Sequence, residues 1–84
     1  ENDNEIKNIN RILATTLYKK SAELENVVGC YQYGDILING KLGNQKKLSL
    51  GYTFMKKAAD NNHEKAIEVI KTLNNDFSLK YQFN

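Results

Sequence analysis

The sequence predicts an all-α protein, a short solenoid of antiparallel helix pairs with about four helices and an extended C-terminal tail. Three observations indicate this fold class. The 84 residues include no proline, so no residue obliges a helix to break. Apolar residues recur at helical spacings along most of the chain, as on the packed face of a helix. The chain also resembles itself when it is shifted by 37 residues.

Length and composition set limits on the class of protein. A chain of 84 residues forms one domain at most, with a modest core. Its net charge of +2 is too small to indicate nucleic-acid binding, and no apolar run approaches the ~18 residues of a membrane span, so no membrane insertion is expected. The first residue is Glu1, which a cleaved signal peptide or trimming would explain, and a periplasmic or exported location is slightly favoured.

The first two helices have recognisable faces and ends. The apolar face of the first consists of Ile6, Ile9, Leu13 and Leu17. Asp3 or Asn4 could cap its start. The second helix is predicted to start after Asn26, a favourable N-cap, and to end at Gly40, where a left-handed residue is wanted. Its expected buried face consists of Gly29, Cys30, Tyr33 and Leu37.

A tight turn at Asn61-Asn62 is predicted to join the third and fourth helices, because Asn tolerates left-handed backbone. The third helix is predicted from about Gln45 to Asp60. Its stripe consists of Leu48, Gly51, Tyr52, Met55 and Ala59. The fourth is predicted from His63 to about Leu73. Its packed side consists of Ala66, Ile67, Ile70 and Leu73.

The C-terminal tail has a different pattern. Asn74-Asn75-Asp76 is expected to stop the fourth helix. Beyond it, apolar residues alternate strictly with polar ones, at Phe77, Leu79, Tyr81 and Phe83. A period of two predicts an extended segment. It could pack over the last helix, pair with the sheet edge of another protein, or fray.

The internal repeat is the most informative signal in the sequence. At an offset of 37 residues, segment 19–23 aligns with segment 56–60, and Lys-Lys-Ser-Ala-Glu meets Lys-Lys-Ala-Ala-Asp. Two helices with their turns fill a period of this length. Paired helices approach closely only where side chains are short. That role is expected for Gly29, Gly51, Ala58, Ala59 and Ala66.

These residues resemble the SEL-one-like repeat, a relative of the tetratricopeptide repeat. In the first half of its unit, Tyr33-Gly34 stands at the Leu-Gly step and Gly40 at the closing glycine. In the second half, Phe54 stands at the tryptophan and Lys57-Ala58-Ala59 is the Lys-Ala-Ala signature. The implied organisation is a half repeat at 4–25, a full repeat at 26–62, a capping half repeat at 63–75 and a tail at 76–84.

The resemblance implies a superhelical stack that binds other proteins, with bacterial members that are often exported and some that neutralise a cognate toxin. We therefore expect a non-catalytic protein–protein interaction module, a small bacterial accessory or immunity protein with one cognate partner. One alternative is a fragment or subunit of a self-assembling helical solenoid, which would form homo-oligomers. Another is a relative of cell-wall or β-lactam hydrolases.

The resemblance also places the first helix of each unit on the concave side of the stack, which gives a candidate partner-binding surface. Its residues are Val28, Tyr31, Gln32, Asp35 and Asn39 on the second helix and Lys65, Glu68, Val69 and Thr72 on the fourth. A tyrosine beside polar groups is typical of interfaces. The alternative interpretation is that these are ordinary exposed helix positions.

No catalytic set, metal site or cofactor site is indicated by the sequence, and no enzymatic activity is expected. Cys30 is the only cysteine and His63 the only histidine, which is too few for a zinc site. A nucleophile-base system needs a Ser, Cys or Thr near a His and an orienting acid, and the repeat alignment places His63 in a turn and Cys30 within the second helix. Cys30 aligns with a core-type position of the repeat, so an inert buried thiol is predicted. His63 is expected to be a solvated residue at a helix start.

Overall fold

The structure, a computed structural model, describes the backbone of residues 3–82 and the side chains of residues 3–75. Within that part of the chain there are four helices and no strand: α1 (Asp3–Glu23), α2 (Val27–Asn39), α3 (Leu48–Asp60) and α4 (Glu64–Gln82). Each helix packs mainly on its neighbours in the chain, and α2 and α3 form the closest pair. The predicted all-α class with four helices is confirmed, whereas the solenoid arrangement stays a prediction.

Both ends of α2 follow the sequence prediction. The Asn26 side chain accepts a hydrogen bond from the Gly29 amide at 2.9 Å, which satisfies one of the free amides of the first turn. At the other end Gly40 has φ 65° and ψ 39°, the left-handed conformation that glycine adopts without strain. All four residues of the predicted buried face of α2 are buried.

Glycines let α2 and α3 touch through their backbones. A Cβ atom on Gly51 would lie 2.9 Å from the Ile38 amide nitrogen and 3.0 Å from the Gly34 carbonyl oxygen, closer than real Cβ contacts. On the other side of α2, a Cβ on Gly29 would lie 2.6 Å from the Ser21 Cβ. The expected role of small residues at Gly29 and Gly51 is therefore confirmed, because any side chain there would push the helices apart.

The core lies between α2 and α3. Met55 and Cys30 are the largest fully buried side chains, and Tyr33 meets the Phe54 ring edge-on, with centroids 5.1 Å apart. Ala22 of α1 and Ala66 of α4 complete this cluster. The fully buried residues that the outer helices contribute are therefore small, and the central pair supplies the larger ones.

The turns after α1 and α3 have the same geometry. After α1, the Asn26 amide donates to the Ser21 carbonyl at 3.1 Å and Glu25 has φ 63°. After α3, the His63 amide donates to the Ala58 carbonyl at 3.1 Å and Asn62 has φ 67°. Both are left-handed caps of the Schellman type, and the predicted turn at Asn61-Asn62 is confirmed.

The predicted start of α3 was early by three residues, since the helix begins at Leu48 rather than Gln45. The Lys47 amide donates to the Leu37 carbonyl at 2.8 Å, which holds the preceding loop along α2 until that point. Leu48, predicted on the packed stripe, is 57% exposed because it occupies the first position of the helix.

The prediction of an extended tail was wrong, because α4 continues through Asn74-Asn75-Asp76 and ends at Gln82. The sequence fits a helix as well, since Ile70, Leu73, Phe77 and Tyr81 follow one another at spacings of three and four. A lone strand would leave its backbone groups unpaired, whereas a helix pairs its own. Phe83, the last residue of the alternating pattern, lies outside the described residues.

Candidate protein-binding surfaces

The apolar face of α1 is exposed to solvent. Its four members, Ile6, Ile9, Leu13 and Leu17, are each between 50% and 67% exposed. We call this set the α1 stripe. A contiguous exposed apolar face of this kind is a candidate site for binding another molecule.

The α1 stripe is exposed because α1 packs through its opposite side. Leu13 and Ala22 are nine positions apart, which at roughly 100° per residue places them on opposite sides of the helix. Ala22 is buried in the core cluster and Ser21 lies against Gly29. On the packed side, the Asn44 side-chain amide also donates to the Thr15 hydroxyl at 2.8 Å, which fixes the α2–α3 loop against α1.

The N-terminal half of α1 stands clear of the other helices. Every side chain from Asp3 to Leu13 is exposed, and α1 has 21 residues against 13 in α2. An isolated helical segment of this length is only marginally stable in water, because its hydrogen bonds barely offset the lost backbone entropy. Contacts with another molecule would therefore stabilise it.

The predicted concave surface on α2 lies on one face of that helix, and its residues already contact one another. Asp35 accepts from the Asn39 side-chain amide at 2.7 Å and from the Lys41 ammonium at 2.6 Å. The hydrogen bond to Asp35, followed by the charge of its carboxylate, raises the pKa of Lys41. Gln32 is half-buried, and Val28 is 56% exposed. Val28 therefore offers the most accessible apolar group of this surface.

Tyr31 connects this surface of α2 to the start of α4. Its ring stacks on the His63 imidazole, with centroids 4.4 Å apart and planes at 18°. His63 Nδ1 in turn accepts from the Ala66 amide at 3.2 Å, as an N-cap does. His63 therefore has a structural role at this joint, which the sequence interpretation of a solvated histidine missed. Its position one residue before a helix was the available signal.

The four predicted residues of α4 divide into two groups. Lys65, Glu68 and Thr72 are exposed, whereas Val69 is half-buried and packs against the core cluster. The assignment of the predicted residues of α2 and α4 to a binding surface stays a prediction.

An apolar depression, which sequence reasoning did not find, lies between α3 and α4. It has a volume of about 590 Å³ and its lining includes Leu48, Tyr52 and Leu73. The Tyr52 hydroxyl donates to the Asn74 side-chain oxygen across it at 2.9 Å. Tyr52 and Asn74 therefore already pair with each other.

Cys30, like His63, makes contacts with the backbone of neighbouring elements. Cys30 is buried as predicted, and its thiol donates to the Ala22 carbonyl at 3.6 Å. Burial raises the pKa of Cys30, against the opposing effect of the Lys57 charge. Among residues 3–75 no three His, Cys, Asp or Glu side chains are grouped to hold a metal ion. No helix of the described residues is long and apolar enough to span a membrane.

No protein-family model, curated protein or solved structure matches this chain. The resemblance to SEL-one-like repeats therefore depends on the sequence motif. Function has to be argued from the surfaces described above.

Proposed function

We propose that the chain is a non-catalytic protein–protein interaction module, a small accessory or immunity protein of a bacterium that binds one cognate partner. Two exposed surfaces support this function, the α1 stripe and the α2 and α4 surface around Val28. Fully burying one Leu or Ile side chain is worth about 1.5–3 kcal/mol, so covering four half-exposed ones is worth several kcal/mol. Association carries a large entropic cost, so a stable complex needs further contacts beyond one stripe.

The surface on α2 and α4 supplies such contacts in this proposal. It offers the apolar Val28 next to polar groups that Asp35 and the exposed α4 residues provide. The Tyr31–His63 stack joins α2 to the start of α4. A surface of this composition suits a protein partner, because interfaces combine a few apolar anchors with a polar rim.

The test is recovery of proteins on the tagged full-length chain, with quantitative mass spectrometry and three single variants. Leu13→Lys changes the α1 stripe, Val28→Lys changes the α2 surface, and Leu50→Lys is a matched control at an exposed apolar residue of α3 outside both surfaces. We expect one protein in equal amount with wild type and with Leu50→Lys, and at least ~10-fold less with Val28→Lys. Recovery of the same proteins at the same level by all three variants would contradict the proposal.

The second candidate function is a subunit of a self-assembling solenoid. The α1 stripe favours it too, since a preceding helix pair would add at that end of the stack. This candidate predicts assemblies that grow with concentration and no equimolar foreign protein. The hydrolase alternative gains no support from Cys30, because a buried thiol with a raised pKa is a poor nucleophile.

A further inference from the structure

We propose that a second copy of this chain covers the α1 stripe, in an antiparallel α1–α1 contact about a two-fold axis. The inference rests on the proposed function and names the occupant of one of its surfaces. The cognate partner would then bind the α2 and α4 surface of a dimer.

The first argument is the self-complementarity of the α1 stripe. From Ile6 to Leu17 it covers roughly 17 Å of helix. When a second copy lies antiparallel across it, Ile6 comes near Leu17 of the second copy and Ile9 comes near Leu13 of the second copy. Each apolar side chain thus meets an apolar one, and the two-fold axis makes every contact occur twice.

Charge decides the direction of the pairing. The first turn of α1 carries Asp3 and Glu5, and its last turn carries Lys20 and Glu23. Lys20 lies seven positions after Leu13 and therefore on the side of the α1 stripe. Antiparallel pairing places Asp3 beside Lys20 of the second copy at both ends of the contact, and it also opposes the two helix dipoles favourably. Parallel pairing would place like charges together at each end, which is unfavourable.

The rest of the molecule leaves room for this contact. α2 packs on the opposite side of α1, where Ala22 lies, and the α2–α3 loop is fixed to Thr15 on that same side. The exposed N-terminal half of α1 therefore gives a second helix free access. An isologous contact uses up the same surface on both copies, so the assembly closes at two chains and does not grow.

The test is the molar mass of the full chain by sedimentation equilibrium between about 1 and 200 μM, at low salt. We expect a reversible dimer for wild type and a monomer for Leu13→Lys, whose ammonium would be placed in the centre of the contact. Because Leu13 is exposed in the single chain, Leu13→Lys should show the same helical circular dichroism as wild type that has been diluted until it is monomeric. Leu50→Lys, at an exposed leucine of α3, should dimerise like wild type.

A charge exchange tests the antiparallel direction. Asp3→Lys and Lys20→Glu should each weaken the dimer by about 10-fold, because each creates two like-charge contacts. The double variant, Asp3→Lys with Lys20→Glu, restores opposite charges across the axis and should recover most of the affinity. If the dimer affinity of the double variant falls by the sum of the two single losses, the antiparallel contact is overturned.

The remaining outcomes separate this inference from the proposed function. A wild-type chain that stays monomeric at 200 μM yet retains an equimolar cognate protein overturns the dimer and leaves the protein-binding module. A monomer that retains no protein removes both. Assemblies that lengthen with concentration overturn the closed dimer in favour of an open solenoid.

Discussion

The α2–α3 pair and α1 use their apolar residues in opposite ways. Between α2 and α3 the backbones approach so closely that a Cβ on Gly51 would lie 3.0 Å from the Gly34 carbonyl oxygen, and Met55 fills the space beside them. α1 instead packs through Ala22 and Ser21 and presents the α1 stripe to solvent. The larger apolar residues of the molecule are thus divided between a core and a surface.

This difference shows that side-chain size, rather than hydrophobicity, decides which face of α1 packs inward. Ser21 is polar and packs so closely on α2 that a Cβ added to Gly29 would lie 2.6 Å from the Ser21 Cβ, whereas Leu17 is apolar and 67% exposed. Short side chains permit close helix approach and many dispersion contacts at once. The larger residues that are left outside become available for binding another molecule.

The largest expected effect comes from truncating one long apolar side chain in each region. Met55→Ala should lower the free energy of unfolding by about 2–5 kcal/mol, because it leaves a cavity in a fully buried site. Leu17→Ala should change it by less than about 0.5 kcal/mol at low micromolar concentration, because Leu17 is exposed and Ala is a good helix former. Urea unfolding followed by circular dichroism measures both.

The two variants remove similar volumes, so each serves as the control of the other. Equal losses would mean that the α1 stripe is buried in the folded chain and that the difference between the two regions does not exist. A loss for Leu17→Ala that appears only at high protein concentration would instead indicate association through the α1 stripe.

An intermediate effect is expected from adding a single methyl group at the α2–α3 contact. Gly51→Ala should destabilise the chain by about 1–3 kcal/mol, since the new Cβ meets backbone atoms that cannot move aside. Thr53→Ala, two positions along α3 and exposed, is the matched control and should be neutral or slightly stabilising. If Gly51→Ala gained stability as Thr53→Ala does, the helices would not be in backbone contact.

Local signals in the sequence predicted the ends of α2 and the packing glycines. Asn26, Gly40 and Gly51 each have a conformational or steric role that depends on a few neighbouring residues. The exposure of the α1 stripe could not be predicted this way, because a helical pattern identifies a face without saying what covers it.

Features that depend on distant residues were missed for the same reason. The Tyr31–His63 stack forms only when α2 meets the start of α4. The C-terminal end of α4 was missed because Phe77 and Tyr81 satisfy a period of two and a helical period together. The described residues contain no strand with which an extended tail could pair, and this favours the helix.

The smallest expected effect compares the equivalent turns after α1 and α3. Glu25 holds φ 63° and Asn62 holds φ 67°, in a region that costs most residues roughly 1 kcal/mol but that Asn tolerates better. Glu25→Gly should therefore raise the free energy of unfolding by about 0.5–1 kcal/mol, and Asn62→Gly by a few tenths at most. Glu25→Ala separates strain from charge, because it removes the carboxylate but keeps a Cβ. A gain from Glu25→Ala as large as that from Glu25→Gly would show that the charge, and not the left-handed backbone, is what weakens the end of α1.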